Sequence, residues 1–304
     1  MSPTIRPGVN RLKPNRSIDR KDCERPVLSK TVHGDIPLML SREIIMEDLS
    51  ISDWWTLIPF TTHRISVGTD LWTSNDIMGV VAAEDLRTDV LLQECGGSLA
   101  GKTVVDLGCL EGAFTAEFAR LGAALSVGIE PRKESFDRCE IVRKLTGLSN
   151  LRFIQADLKD ELPKWEGQFD VVFMAGLLYH VSDPYAALRL VYRACRGMAL
   201  IDTHIAHEDF PTHQCGEIVE RTWAGDHYKG RLFVEYPSDV DPSMHEKMLW
   251  AAYSDSFAFW PLEDDLVRMF HDVGFQTVKK INPAEFSGHW RVDPTNRVIY
   301  ICRK

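Results

Sequence analysis

Three carboxylates fall at the carboxyl ends of successive apolar runs: Asp106 in KTVVDL, Glu130 in LSVGIE and Asp157 in LRFIQADL. Set side by side, such groups can read one adenosine-bearing ligand. The first suits an ammonium, the second can accept both ribose hydroxyls at once, and the third can take an adenine amino group. Each alone could equally be a helix cap or a surface charge. It is the coincidence of all three that points to a ligand.

The turn after the first run reads Asp106-Leu-Gly108-Cys109-Leu110-Glu-Gly112. A dinucleotide site needs GxGxxG, where the second glycine lets a pyrophosphate approach the backbone. Leu110 stands at that position, and the chain has no GxxxxGK[ST] phosphate loop. The turn therefore suits a nucleoside without phosphates, since Asp106 would repel a pyrophosphate.

Candidates for proton transfer follow the fourth apolar run, FDVVFMA: Tyr179 and His180 in GLLYHVSDP. A hydroxyl or protonated amine needs a base on its way to a new bond, whereas a thioether or neutral amine does not. His180 has a second reading as a structural histidine at the start of the next helix. An acceptor pocket is expected from Trp54, His63, Arg64 and Trp72 in an aromatic N-terminal loop. Further members are His204 after the fifth run, and Arg221, Tyr228, Arg231, Tyr236 and Trp260 beyond it. Glu217, Glu235, Trp250 and Tyr253 belong to the same polar, aromatic stretch. Arginines there could hold a carboxylate bidentately and aromatics could face a cation, although aromatic clusters more often fill a core. His204-x-x-His207 beside Glu208-Asp209 is a weak metal pattern, and no metal is expected.

The elements that position these residues alternate. From Lys102 short apolar strands (KTVVDL, LSVGIE, LRFIQA, FDVVFMA, MALIDTH) are each followed by a turn or helix pattern, which predicts a parallel α/β sheet with right-handed crossovers. Residues 205–260 break the rhythm and read as an inserted cap over the strand ends, where ligands bind in open α/β sheets. The rhythm resumes in PLEDDLVRMFHDVGF, a helix with Pro261 in its first turn and Gly274 as its stop, followed by strands FQTVKKI and RVIYICRK. Upstream, IPLMLSREIIMEDL and NDIMGVVAAEDLRTDVLLQEC predict helices. The expected domains are a basic arm (1–34), a helical and aromatic lid (35–100) and a ligand-binding domain (101–304) carrying the cap.

Composition narrows the partners. The 304 residues carry a net charge of −9, yet residues 1–30 hold eight Lys/Arg against three Asp/Glu. An acidic body argues against extensive contact with a phosphate backbone. The basic arm reads as a poorly ordered tail or one that packs on a second subunit of a homodimer. No run of about 18 apolar residues predicts a membrane span, and no apolar leader predicts secretion. Seven scattered cysteines without CxxC pairs predict reduced thiols in a cytoplasm.

Together, VVDLGCLEG, VGIEPR, FIQADL and FDVVFMAGLLYHVSDP resemble the class I S-adenosylmethionine-dependent methyltransferases over residues 100–204, with weaker agreement from 261 to 304. The resemblance implies a Rossmann-like, mostly parallel seven-stranded sheet with helices on both faces. It implies S-adenosylmethionine as cofactor, leaving S-adenosylhomocysteine as product. Beyond the carboxylates, the implied cofactor contacts are Gly108, Cys109, Gly112, Pro131, Leu158 and Ala175, with Tyr179 and Arg297. GLLYHVSDPYAAL and RKLTGLSNLRF look like the group that modifies the wobble uridine of tRNA from a carboxymethylated cofactor. The acidic body favours a small, amino-acid-like acceptor, and with no dominant base in the sequence the specific choice is S-methylation of a thioether such as methionine. A tRNA wobble-uridine methyl- or carboxymethyltransferase is the alternative.

Overall fold

A computed structural model describes residues 60–68, 71–74, 79–209, 215–237, 240–286, 288 and 296–304, all within the unit Met39–Lys304. The basic arm, the predicted helix IPLMLSREIIMEDL and Trp54 lie outside the described residues.

The strands are β1 (Ser66–Gly68), β2 (Leu71–Trp72), β3 (Thr103–Leu107), β4 (Leu125–Ile129), β5 (Leu151–Ile154) and β6 (Phe169–Ala175). They continue with β7 (Cys195–His204), β8 (Ile218–Trp223), β9 (Asp226–Val234), β10 (Phe257–Pro261), β11 (Thr277–Lys280) and β12 (Arg297–Arg303). Six α-helices are described: α1 (Leu86–Glu94), α2 (Ala113–Arg120), α3 (Lys133–Thr146), α4 (Leu158–Glu161), α5 (Pro184–Ala194) and α6 (Glu263–Asp272).

Seven strands form one sheet in the order β11-β12-β7-β6-β3-β4-β5. Strands β3 to β7 pair in parallel, and only β12 runs against its neighbours. Both faces are covered, which is why the strands read as unbroken apolar runs. On one face Val105, Val172, Met174, Ile201 and Tyr300 pack with α5 and α6 residues such as Leu188 and Phe270. On the other, Val104, Phe173, Leu200 and Ile301 meet Leu91 of α1, Phe118 of α2 and Val142 of α3. Truncating one such large side chain to alanine typically costs about 2–5 kcal/mol.

Three sequence expectations shift at element ends. Helix α1 is shorter than the periodicity of NDIMGVVAAEDLRTDVLLQEC suggests. Val81 and Asp85 are extended, and the Asp85 side chain accepts from the Arg87 N–H, so the helix begins at Leu86. Pro261 ends β10 and does not occupy the first turn of α6. The insertion is a three-stranded antiparallel sheet, β10-β9-β8. Its β8–β9 hairpin turns through Ala224 and Gly225, both at positive φ. Such a two-residue turn usually carries Asn-Gly or Asp-Gly, so the alanine hid it.

Candidate active site

The strand order reverses between β3 and β6, and a crevice opens there at the carboxyl ends of the parallel strands. It is a cavity of about 370 Å³. Asp106, Glu130 and Asp157 all line it, as do Gly108, Cys109, Pro131, Leu158 and Ala175. The turn after β3 is shaped by Gly108, Leu110 and Gly112, all at positive φ. Gly112 is set back from the cavity wall. A Cβ there would lie 2.6 Å from the Phe153 ring, so this glycine serves close packing under the turn.

Both upstream carboxylates are deeply buried. Burial pushes the Asp106 carboxyl up to about 7, against the opposing effect of the hydrogen bond it accepts from Thr115 Oγ1 at 2.7 Å. Burial likewise raises Glu130 to about 7, although its two oxygens accept from the N–H groups of Leu110 and Arg132, each at 3.0 Å. Among the described residues neither carboxylate has a direct ion pair, so a cationic or hydroxyl-bearing ligand would supply partners that these residues withhold. Asp157 instead caps α4 through the Lys159 N–H and accepts from Ser254 Oγ.

Past β6, Tyr179 and His180 sit on a single 3-10 turn, Leu178–His180, and both line the cavity. His180 Nδ1 lies 3.0 Å from both Oε1 and Oε2 of Glu235, a buried residue just past β9. A carboxylate on Nδ1 fixes the ring and leaves Nε2 to exchange a proton with an acceptor. The Tyr179 ring faces the Arg297 guanidinium, 5.2 Å from the ring centroid, and burial raises its phenol.

Behind Tyr179 lies a buried charge network. Arg297 donates to Asp202 through Nε at 2.7 Å and Nη2 at 2.9 Å, and Arg87 donates to the same carboxylate at 3.1 Å and to both oxygens of Asp85. Burial alone would raise Asp202, but the Arg297 and Arg87 guanidiniums hold it below the ordinary range. Two guanidiniums and two carboxylates leave this region near neutral. Arg87 was not legible as a site residue, because it sits on the amphipathic helix of the lid segment.

Glu111 was also missed. It is fully buried, and its carboxylate accepts the N–H groups of Thr61 (2.8 Å), Thr62 (3.2 Å) and His63 (2.7 Å). The turn after β3 thus clasps the segment Thr61–His63 and brings His63 to the cavity wall. Burial lowers His63 to about 4, which keeps its ring neutral.

The expected acceptor pocket is largely dispersed. Arg64 covers the Trp72 ring at 4.4 Å, and neither is among the described residues that line the cavity. Arg221 is exposed on β8. Tyr228 is core, donating its hydroxyl to Asp272 at 2.8 Å. Arg231 is buried and spends its guanidinium on the carbonyls of His207, Glu208 and Gly216. Tyr236 stacks on His245. Trp260 donates Nε1–H to the Tyr179 carbonyl and stacks on His204. That stack supports Tyr179 from behind without lining the cavity. Among the described residues, those of the insertion that reach the cavity are Leu249–Asp255, a stretch in which Trp250 is 73% exposed.

Comparison with known proteins agrees with this architecture. Residues 98–258, just over half of the chain, match the family described as a methyltransferase domain. The tRNA U34 carboxymethyltransferase of Cronobacter sakazakii is 33% identical over 130 residues, 43% of this chain and 36% of that protein. The Vibrio parahaemolyticus protein of the same name is 30% identical over 172 residues, 56% and 48% of the two chains. The chain thus spans between a third and a half of the length of such curated relatives. A crystal structure of the N-terminal domain of EvdMO1, in the presence of SAH and D-fucose, superposes with a TM-score of 0.64 at 20% identity, covering 88% of this chain and 99% of that one. The topology, with its single reversed strand, and the match over residues 98–258 place this chain in the methyltransferase-domain family, with the fold of the class I S-adenosylmethionine-dependent methyltransferases.

Proposed function

We propose that this protein transfers a methyl group from S-adenosylmethionine to a small acceptor that must lose a proton, a hydroxyl or an amine, with His180 as general base. The observation that carries this reading is the His180–Glu235 pair at the cavity wall beside Tyr179. S-adenosylmethionine supplies an electrophilic methyl carbon on a sulfonium. In this reading Asp106 holds the ammonium of its amino-acid end, Glu130 the ribose hydroxyls and Asp157 the adenine side. Three carboxylates in one cavity, two of them buried without an ion pair among the described residues, fit a ligand with those groups.

Transfer is an in-line displacement, for which alignment and exclusion of water matter most. With the cofactor bound, the acceptor's lone pair would bond to the methyl carbon as the carbon–sulfur bond breaks to leave S-adenosylhomocysteine, and His180 Nε2 would take the acceptor proton. Glu235 stabilises the resulting imidazolium. A base held in this way contributes about 10²–10⁴-fold in rate.

The thioether choice rested on there being no dominant base. The His180–Glu235 pair moves the preference to an acceptor with a proton to give up. An amine of an amino-acid-like metabolite fits, as does a hydroxyl. The EvdMO1 domain shares only the fold, so the inclusion of hydroxyls rests on the histidine–carboxylate pair. A second reading, tRNA modification, is favoured by the names of relatives about 30% identical, although those matches span at most half of their lengths.

Methyl transfer from labelled S-adenosylmethionine to a metabolite extract and to a tRNA pool separates the two. The expected result is label in a small-molecule fraction, lost by about 10²-fold or more in His180→Ala. Label confined to tRNA, with a rate that falls steeply with salt, would replace the small-acceptor reading.

A further inference from the structure

The segment Met248–Asp255 of the insertion has no regular secondary structure, and its residues Leu249–Asp255 form an outer wall of the cavity. Its order therefore depends on side-chain anchors, and these run in two directions. Toward the strand ends assigned to adenosine, Arg132 Nη2 donates to the carbonyls of Met248 at 3.1 Å and Ala251 at 2.5 Å. On the same side Ser254 Oγ donates to Asp157 at 3.3 Å, and Lys159 Nζ pairs with Asp255 Oδ1 at 3.0 Å. Toward the base, the Ala252 N–H donates to Glu235 Oε2 at 2.8 Å, and the Ser182 N–H donates to Asp255 Oδ2 at 2.8 Å.

Two carboxylates thus serve both ends. Glu235 holds the His180 ring and the strap amide with the same group. Asp255 takes Lys159 from one side and Ser182, two residues after His180, from the other. Were the strap to move away as a unit, Glu235 would lose its amide donor and the 178–183 loop would lose the Ser182 contact, leaving it held by Trp260 Nε1–H on the Tyr179 carbonyl and the Phe259 N–H on the Val181 carbonyl.

We propose that Glu235 and Asp255 are positioning residues that couple seating of the 248–255 strap on the adenosine side to the placing of the His180 base, so that the base is set when the cofactor site is filled. The inference rests on the reading of His180 as base. Coupling between two such sites commonly amounts to about 5- to 150-fold.

Amide hydrogen exchange on the full chain tests it, with S-adenosylhomocysteine as the probe. In the unsubstituted protein S-adenosylhomocysteine should slow exchange at both Ala252 and Ser182 by about tenfold or more. In Asp255→Ala the protection at Ala252 should shrink to below about threefold, although Asp255 does not touch that amide. The same variant should lower kcat about tenfold while KM for the acceptor stays within about threefold. If Asp255→Ala does not fold, Lys159→Ala, which releases Asp255 from the adenosine side only, should reduce protection at Ser182. Protection at Ala252 that is the same in variant and parent, or a kcat that does not fall, overturns the coupling. His180→Ala separates the two failures. If it transfers methyl groups at the parent rate, the base reading falls and the coupling with it. If it is inactive while exchange at the two amides is unlinked, the coupling alone falls.

Discussion

Asp106→Asn tests the physical core of the site, a carboxylate buried ahead of its ligand. In the unfolded chain this group ionises at its ordinary value of 3.8, and in the folded protein at about 7. Between those values the folded state holds more protons, so stability falls as pH rises through that window and levels off above about 7. Integrating the two titrations gives a cost of about 1.5 kcal/mol near pH 5 and about 4 kcal/mol near pH 8. Asparagine removes this dependence. Its amide oxygen can still accept from Thr115, but its N–H₂ group gains no obvious partner, which costs about 1–3 kcal/mol at every pH. The pH-independent penalty cancels when variant and parent are compared at the two pH values. Urea unfolding should therefore show the variant gaining about 2–3 kcal/mol on the parent between pH 5 and pH 8, or very roughly 5–10 °C in thermal midpoint. Calorimetry should meanwhile show S-adenosylhomocysteine binding weakened by about 10- to 150-fold, the loss of one charge-assisted bond. A stability difference that is the same at both pH values would refute the reasoning, because Asp106 would then ionise like an exposed aspartate.

Affinity for S-adenosylhomocysteine should itself depend on pH. Asp106 and Glu130, both raised to about 7, must ionise to accept an ammonium and ribose hydroxyls, so the dissociation constant should worsen by up to about tenfold per group per unit below pH 7 and plateau above it; isothermal titration across that range checks this. Glu130→Ala should weaken binding by about 10- to 100-fold or more, and a folded variant with unchanged affinity would mean that Glu130 only pins Leu110 and Arg132. Arg231→Ala should lower stability by about 1–3 kcal/mol, since three partly buried carbonyls lose their donor, while Arg221→Ala should stay within about 0.5 kcal/mol. Chemical unfolding of the two variants, run side by side, distinguishes a structural arginine from a surface one.

Strand ends were the legible part of this chain. Buried parallel strands leave an apolar run that stops abruptly, so Asp106, Glu130 and Asp157 announce their positions by following Val105, Ile129 and Ile154 within three residues. All three line the cavity. The insertion was illegible for the same physical reason in reverse. Most of β8 is exposed, so no alternation separates its two faces, and Arg221 looks no different in sequence from the buried Arg231 on the neighbouring strand of the hairpin. Residue type alone suggested that both arginines faced a ligand. Only the fold shows that one meets water and the other three carbonyls.

The residues that organise the site escaped for a different reason: their partners are backbone groups or lie far away in sequence. Glu111 occupies an unremarked position inside the glycine turn, yet it collects three amides from a segment 48 to 50 residues upstream. Glu235 was one polar residue in a stretch full of them, and its two partners, His180 and Ala252, lie 55 residues before it and 17 after. Neither contact has a spacing rule, because it is set by how the lid and the insertion dock on the strand ends and not by helix or strand periodicity. What the two share is chemical. Each is a carboxylate almost sealed from water that joins an added segment to the core, Glu111 through three amides of the lid and Glu235 through the core's His180 ring, an arrangement that costs stability unless every partner stays in place. The core α/β unit supplies the three cavity carboxylates, and these two glutamates fasten the lid and the insertion to it. The acceptor side of the cavity is therefore only as ordered as Glu111 and Glu235 make it.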